Sequence, residues 1–361
     1  MLGYAVLRAI GIVVLAIGAG YHDSPLTGAL LRADAGWYVG IAEYGYDHAL
    51  TYGPAGQVFP SNLAFFPLFP ALIVAVAWAF SITAPTASLV VAWTAGLGAA
   101  AGLYAVGATV RDRRTGVLLA MLWAIVPHAV VESMGYSETL FTALAAWSLW
   151  AVLRGRWLTA GVLCLLAGLT RPTAVALIAA VGLAALVAGI RSPRKWQAWT
   201  AILISPLGLL AFMWWVGARL HRFDGYFYVQ NMAWQMGFDG GAYTLHEAGK
   251  LLSRNGLELP YVVTTVVLVA AVGLMLAAFG SRIPWPLLVF AGLALVVVIT
   301  GDGYYYAKAR LLIPAFPLLL PAALALSRSR NRLATTAVVV ALAFLSSTYG
   351  IYLGVVSTVS P

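Results

Sequence analysis

Charged residues are scarce in this sequence: Asp, Glu, Lys and Arg make up only 9% of its 361 residues, against about a quarter in an average soluble domain. The hydrophobic share is 62%, which is more apolar surface than a water-soluble fold could bury. The shortage of charge therefore excludes a soluble globular protein. We expect an all-α polytopic membrane protein in which residues 1–361 form a single transmembrane domain.

Cysteine, paired histidines and glycine-rich phosphate loops are also lacking. The one cysteine, Cys164, lies in an apolar run, which excludes a disulfide within the chain and a paired-cysteine metal site. His128 has no second histidine at metal-ligand spacing, so a divalent metal is left open without support and no cofactor is expected. A nucleotide-binding fold is not expected either, because no phosphate-binding loop or ATPase motif is present.

The net charge of +9 is the one feature that could indicate a nucleic-acid partner. The basic residues, however, stand in short clusters between apolar runs, where lipid headgroups and membrane topology account for them. We therefore expect membrane lipids as partners and no nucleic acid. Arginine greatly outnumbers lysine, which weakly favours a GC-rich, bacterial coding sequence.

Apolar runs of near-bilayer length follow one another along the chain and predict a bundle of about 11–12 transmembrane helices. The first run lacks a small-residue cleavage site after it, so it is predicted to be a span and not a signal peptide. Several runs are too short for a perpendicular crossing and must be tilted or re-entrant. The runs are 4–20, 63–80, 87–110, 117–131, 137–153, 158–170, 173–190, 198–217, 259–280, 285–300, 311–326 and 334–353.

Five arginine-containing clusters are predicted to face the cytoplasm by the positive-inside rule, namely 111–114, 154–156, 191–195, 282 and 328–332. A large first loop, 22–62, and a second loop, 218–258, then face outside. Every acidic residue except Asp112 falls on that outer side, so we expect any active site to face outward from a bacterial plasma membrane. Two full spans between the first loop and Arg111 would place the 111–114 cluster outside, against the positive-inside rule. This parity problem stays open: either 63–80 does not cross fully, or 87–110 breaks near Gly96 and Gly98.

The first loop contains a candidate catalytic carboxylate, Asp34. Behind it Trp37, Tyr38, Ile41 and Tyr44 recur at helical spacing, which predicts a short helix in the membrane interface. Two interpretations are open. Asp34 could cap this helix, because Asp is a preferred capping residue, or it could be a general base held just above the lipid headgroups.

Charged residues also stand at the outer ends of predicted spans, where burying them is costly and usually functional. One interpretation is a set of internal salt bridges, for example Glu138 with Arg171. The other is a pocket in which Arg171, Lys308 and Arg310 bind a lipid phosphate, with the tyrosines of 304–306 around sugar or headgroup. Glu132 and Asp302 are further charged residues near the outer ends of predicted spans.

Four ordered stretches carry a resemblance to a known family: DAGWY with IAEYGY from Asp34 onward, AFFPLFP at 64–70, GYSETLF at 135–141 and LTRPT at 169–173. A weaker element, ARLL, follows at 309–312. They cover roughly the first half of the chain and resemble motifs of the PIG-V family, the GPI mannosyltransferase 2 group of GT-C membrane glycosyltransferases. The resemblance implies a GT-C-type bundle with a large first outer loop that carries short interfacial helices.

The resemblance also implies a reaction. Asp34 would be the catalytic base of an inverting mannosyltransferase, with Arg171, Lys308 and Arg310 at the phosphate of a polyprenyl-phosphate mannose donor. The acceptor would be a hydroxyl of a glycolipid or a glycoprotein. The candidate substrate-binding residues are Trp37, Tyr38, Glu43, His128, Tyr136, Glu138, Asp302 and Tyr305.

A second class of function is a transporter or flippase for a polyprenyl-linked lipid, which would use the same charges as a translocation path. Transporters of this kind usually contain repeated halves. No second copy of the first-loop pattern is found in this sequence, so the enzyme is favoured.

Overall fold

The computed structural model describes residues 1–253, 256 and 258–361, so three positions of the predicted second loop lie outside the described residues. Within them β-pairing is confined to two isolated bridges, Tyr52 with Val58 and Phe238 with Gly301. Helices make up the rest of the regular structure. The all-α prediction is therefore confirmed.

The first nine α-helices run from the amino terminus through the middle of the bundle. They are α1 Leu2–Tyr21, α2 Leu26–Leu30, α3 Asp34–Tyr44, α4 Leu68–Phe80, α5 Ala84–Val110, α6 Arg113–Trp123, α7 Glu138–Leu153, α8 Trp157–Gly168 and α9 Ala174–Arg191. Helices α2 and α3 lie in the first loop, as predicted.

Nine further α-helices follow among the described residues. They are α10 Trp196–Ile204, α11 Leu207–Leu220, α12 Gly225–Tyr228, α13 Ala242–Ser253, α14 Leu259–Phe279, α15 Trp285–Thr300, α16 Lys308–Leu311, α17 Leu320–Arg328 and α18 Arg332–Ile351. Short 3₁₀ helices lie at Asn62–Ala64, Ala129–Ser133, Tyr305–Ala307 and Phe316–Leu319, and π-helical turns at Val229–Ala233 and Tyr352–Val356.

Six helices of the described chain are long and apolar enough to cross a bilayer: Leu2–Tyr21, Ala84–Val110, Ala174–Arg191, Trp196–Leu220, Leu259–Phe279 and Arg332–Val356. A pair bent by 76°, Tyr305–Leu311 with Phe316–Arg328, makes up to seven. Four shorter apolar helices, α4, α7, α8 and α15, lie beside them. The chain is thus an integral membrane protein, and the predicted total of 11–12 is approached only when the shorter helices are included.

Two predicted spans are broken by proline. The run 117–131 is helical only to Trp123 and resumes as a 3₁₀ helix at Ala129, because Pro127 cannot continue an α-helix. The run 311–326 is interrupted after Leu311 by Pro314 and Pro317 in the same way. Non-helical backbone at membrane depth is tolerated only where protein surrounds it.

Side chains from distant helices satisfy the backbone carbonyls freed at these breaks. Arg8 donates to the carbonyl oxygen of Ala124 at 2.9 Å, and Ser346 Oγ donates to that of Val126 at 2.8 Å. Trp123 Nε1 donates to the carbonyl oxygen of Ile313 at 3.0 Å, which joins the two broken segments directly. These bonds hold the irregular backbone that leads to the site.

The lengths of two helices bear on whether 63–80 and 87–110 cross the membrane fully. Helix α5 is continuous over 27 residues, so the proposed break at Gly96 and Gly98 is wrong. Helix α4 has only 13 residues, or about 20 Å at 1.5 Å per residue, which is less than the roughly 30 Å of bilayer hydrocarbon. The remaining alternative, an incomplete crossing at 63–80, is therefore favoured.

Small residues bring neighbouring helices close together, as is usual in membrane bundles. A Cβ atom at Gly107 of α5 would lie 2.7 Å from the Cα of Gly116 in α6. One at Gly208 of α11 would lie 2.0 Å from the carbonyl oxygen of Leu165 in α8. Neither position admits a larger side chain.

Candidate active site

Helix α3 begins at Asp34 itself, so the capping interpretation of this residue is wrong. The residue in the cap position is Ala33, which has no side-chain acceptor and adopts φ 52°, ψ −118°. A positive φ is unfavourable for an L-residue, and such strain clusters at functional sites. The Asp34 side chain is thereby free to interact elsewhere.

A buried network of four charges joins the ends of four segments. Arg310 Nη2 lies 2.9 Å from Asp34 Oδ2, and Arg310 Nε lies 3.4 Å from Glu138 Oε1. The same Glu138 oxygen lies 2.5 Å from Arg171 Nη1, which is the ion pair named in the salt-bridge interpretation. The Glu138 side chain is 2% exposed and that of Arg310 9%. Two carboxylates and two guanidinium groups balance each other, which makes their burial tolerable.

Helix geometry contributes to this balance. Glu138 is the first residue of α7, where the positive end of the helix dipole favours a carboxylate. Arg310 lies on the one-turn helix α16, between the 3₁₀ helix Tyr305–Ala307 and the break at Pro314. Asp34 and Arg310 are 276 positions apart in the sequence, yet their side chains meet. They do so because the irregular segments bring them to one end of the bundle.

Tyr136 and Tyr38 surround the network. The Tyr136 hydroxyl accepts from the backbone N–H of Asp34 at 3.3 Å and donates to the carbonyl oxygen of Arg32 at 3.2 Å. The Arg310 guanidinium lies over the Tyr136 ring, 5.2 Å from its centroid. Tyr38 is hydrogen bonded to Ser137 through their hydroxyls at 2.7 Å. The sequence stretch that begins at Asp34 and the stretch at 135–141 are thus hydrogen bonded to each other.

The carboxyl-terminal segment is fastened to the residues just before Asp34. Arg32 donates to the carbonyl oxygens of Leu353 at 2.8 Å, Gly354 at 3.3 Å, Ser357 at 3.0 Å and Val359 at 3.3 Å. Four main-chain acceptors on one guanidinium fix the position of this segment. Sequence reasoning missed Arg32, since no local pattern links it to residues more than 300 positions away.

A cavity of about 260 Å³ opens beside the network. It contains the predicted residues Asp34, Trp37, Tyr38, Arg171 and Arg310. Tyr304 and Tyr306, which were expected around sugar or headgroup, line it as well. Other lining residues were not predicted as site residues, because their positions depend on tertiary structure; they include Phe65, Gln230, Trp234 and Ser360.

Three residues near 305 were predicted in the site but do not line this cavity. Lys308 is buried, and its Nζ donates to the carbonyl oxygens of Val298 at 2.8 Å and Gly301 at 2.5 Å. Its charge is used to hold the end of α15. Tyr305 is buried and hydrogen bonded to the Thr265 hydroxyl at 2.7 Å. Asp302 accepts from the backbone N–H of Gly237 and thereby ties the second loop down.

Glu43 and His128 also lie away from the cavity. Glu43 is exposed and stands nine residues after Asp34 on α3, which places it on the opposite helix face. His128 is buried, with neither ring nitrogen hydrogen bonded to the described residues. It lines a second, apolar cavity of about 330 Å³ on the other side of α16.

Metal binding receives no support from the described residues. Nowhere among them do three or more His, Cys, Asp or Glu side chains gather in a group that could hold an ion. The charged groups of the site are instead paired with one another.

Several solved structures share this fold. ArnT from Cupriavidus metallidurans in the apo state matches 99% of this chain with a TM-score of 0.55 at 15% identity. The same protein bound to undecaprenyl phosphate matches 97% with a TM-score of 0.53 at 15% identity. The apo oligosaccharyltransferase of Archaeoglobus fulgidus matches 98% with a TM-score of 0.55 at 14% identity.

The chain therefore has the fold of GT-C-type membrane glycosyltransferases, while identities this low show the fold alone. It is shorter than these proteins: the matches cover 65% and 75% of the two ArnT chains and 57% of the oligosaccharyltransferase. No protein-family model matches the sequence, and no curated protein does. The PIG-V resemblance stays a prediction.

Proposed function

We propose that the protein is a membrane glycosyltransferase that takes a sugar from a polyprenyl-phosphate donor, with Asp34 as general base. The observation that carries this proposal is the pairing of Asp34 with Arg310 at 2.9 Å at the edge of an aromatic-lined cavity. The fold supports the proposal, and so does the undecaprenyl phosphate bound to ArnT. Dolichol-phosphate, a second polyprenyl phosphate, is bound to AglB from Archaeoglobus fulgidus, a structure with a TM-score of 0.50 to this chain.

Asp34 is suited to remove a proton. One carboxylate oxygen, Oδ2, is oriented by Arg310, and the side chain is 23% exposed, so a hydroxyl can approach the other oxygen from the cavity. As the acceptor hydroxyl oxygen forms a bond to the anomeric carbon, its proton moves to Asp34. The bond from the anomeric carbon to the phosphate oxygen breaks, its electron pair leaves with polyprenyl phosphate, and the configuration inverts.

The departing phosphate requires charge stabilisation in a site of low dielectric constant. Arg310 Nη1 is buried and has no hydrogen-bond partner among the described residues, so it can donate to a phosphate oxygen. Arg171 lies in the same cavity, 2.5 Å from Glu138. Lys308 was expected to share this role, but its bonds to main-chain oxygens favour a structural one. We therefore assign the phosphate to Arg310 and Arg171.

Finer features of the proposal come from the sequence. Mannose as the sugar, and a glycolipid or glycoprotein as acceptor, are proposed from the PIG-V resemblance. An outward-facing site in a bacterial plasma membrane is proposed from the arginine clusters and the residue composition. A single transmembrane domain over residues 1–361 is proposed from the continuous series of apolar runs.

The test is a two-part assay of the purified full chain. Labelled mannose on a short-chain polyprenyl phosphate is mixed in detergent with a glycolipid and glycoprotein fraction, and the same donor is placed in vesicles to follow its movement between leaflets. We expect transfer of label that is lost in the Asp34→Asn variant and kept in Lys195→Gln. Movement of the donor without transfer would support the transporter instead.

A further inference from the structure

One wall of the candidate cavity is formed by three aromatic rings from distant parts of the chain. The ring centroids of Trp37 and Phe65 lie 5.8 Å apart, those of Trp37 and Trp234 5.3 Å, and those of Phe65 and Trp234 5.4 Å. All three rings line the cavity. We refer to these three residues as the aromatic wall.

The aromatic wall is held in place by its surroundings. Trp234 Nε1 donates to the carbonyl oxygen of Ser61 at 3.0 Å, and the Tyr38 ring packs edge-on against Phe65 at 5.1 Å. Trp37 follows Asp34 by one helical turn, so both side chains project from the same face of α3. The wall therefore has a fixed position relative to the proposed base.

The polar residues that line the cavity beside the aromatic wall include Gln230 and three charged side chains. Gln230 lines the cavity, and its amide nitrogen donates to the Tyr226 hydroxyl at 2.8 Å, which leaves the amide oxygen as the group available to accept a hydrogen bond. The charged side chains that line the cavity are Asp34, Arg171 and Arg310. All three belong to the ion-pair network, so the wall itself carries no charge.

We propose that the aromatic wall and Gln230 form the subsite for the transferred sugar ring, and that this subsite takes a neutral pyranose and rejects an acidic one. The inference rests on the proposed function. The C–H groups on one side of a pyranose are weakly positive and fit the negative face of an aromatic ring, and a ring hydroxyl can donate to Gln230. A carboxylate there would lose its water, while the two cations of the cavity, Arg171 and Arg310, are already paired with Glu138 and Asp34 and assigned to the donor phosphate.

The location agrees with the chemistry of transfer. A sugar on the wall would share one cavity with the phosphate held by Arg310 and with the hydroxyl approached by Asp34, because all of these groups border that cavity. The wall would thus orient the anomeric carbon, while Asp34 acts on the acceptor oxygen that bonds to this carbon and Arg310 on the phosphate oxygen that leaves it.

The test compares three lipids with the same short polyprenyl chain: the phosphate alone, the phosphate carrying a neutral hexose, and the phosphate carrying the matching hexuronic acid. Binding to the full chain is measured in detergent. We expect the hexose lipid to bind more tightly than the bare phosphate lipid, and the hexuronic acid lipid to gain nothing. Trp234→Leu should weaken hexose lipid binding about tenfold and leave the bare phosphate lipid unchanged, whereas Trp234→Phe should restore most of the affinity.

The control is Trp214→Leu, which removes a ring that is 75% exposed on α11 and should alter neither affinity. Equal weakening of all three lipids by Trp234→Leu would overturn the subsite, because the ring would then only support the fold. Equal binding of the hexose and hexuronic acid lipids would overturn the assignment to neutral sugars. Failure of the wild-type chain to bind any polyprenyl phosphate would overturn the proposed function as well as the subsite. The bare phosphate lipid therefore tests the proposed function separately from the sugar subsite.

Discussion

Arg310 contacts both carboxylates of the site at once: its Nη2 lies 2.9 Å from Asp34 and its Nε 3.4 Å from Glu138. A guanidinium can serve two acceptors in a fixed plane, whereas an ammonium is a point charge. Arg310→Lys should therefore keep the net charge and lose one of the two contacts. We expect weaker donor binding and slower transfer with the protein still folded, measured as affinity for a short-chain polyprenyl phosphate and turnover. Unaltered donor affinity in both Arg310→Lys and Arg310→Ala would leave Arg310 only a structural role.

Glu138 is the acceptor shared by both arginines, and its removal should destabilise the protein. The side chain is 2% exposed, so Glu138→Gln would leave two buried guanidinium groups with one carboxylate between them. Breaking a buried pair of this kind costs about 3–5 kcal/mol, which should lower the thermal unfolding temperature clearly.

The matched control for Glu138 is Asp224, which is paired with Arg222 on the surface at 3.0 Å. Exposed ion pairs contribute little to stability, so Asp224→Asn should leave the unfolding temperature nearly unchanged. If the two variants unfold alike, the buried network is not what stabilises this end of the bundle.

Arg32 should position Asp34 through the carboxyl-terminal segment. Arg32→Gln removes most of the bonds to the carbonyl oxygens of Leu353, Gly354, Ser357 and Val359. We expect turnover to fall while affinity for the bare polyprenyl phosphate is retained, because the phosphate ligands are elsewhere. Arg32→Lys should restore part of the turnover. A loss of donor affinity equal to the loss of turnover would contradict a positioning role.

The proposed sidedness can be tested by cysteine labelling, because the one natural cysteine, Cys164, is buried. Phe223→Cys lies at a fully exposed position of the loop 218–258, which is predicted to face outside, and Arg330→Cys lies in a cluster predicted to face the cytoplasm. In intact cells a membrane-impermeant reagent should modify the first and spare the second. Labelling at Arg330→Cys would reverse the orientation.

The sequence predicted the parts of the site that local pattern and charge determine. The helix after Asp34, the Glu138 to Arg171 salt bridge and most of the long spans are found as expected. These follow from periodicity and from the cost of unpaired charge in a membrane.

Other parts could not be predicted because they depend on tertiary contacts. The Arg32 bonds and Trp234 join positions separated by more than 170 residues, and no spacing rule connects them. Lys308 was predicted at the phosphate because the sequence shows no acceptor for its charge. The fold provides main-chain acceptors for it at the end of α15. A lone cation beside a span can bind a ligand phosphate or hold main-chain carbonyl oxygens, and sequence alone does not distinguish the two roles.

The most direct measurement is the turnover of Asp34→Asn together with its thermal stability and its affinity for the donor. Asn is nearly the same size and its amide oxygen can still accept from Arg310, so folding and donor binding should persist. It cannot take a proton, and general base catalysis typically contributes about 100-fold to 10,000-fold. We therefore predict that transfer falls by at least about 100-fold in a protein that still folds. Its unfolding temperature should drop, because Arg310 loses one of its two charged partners. Asp34→Glu should keep more activity than Asp34→Asn. A folded Asp34→Asn variant that turns over like the parent would contradict the assignment of Asp34 as the base.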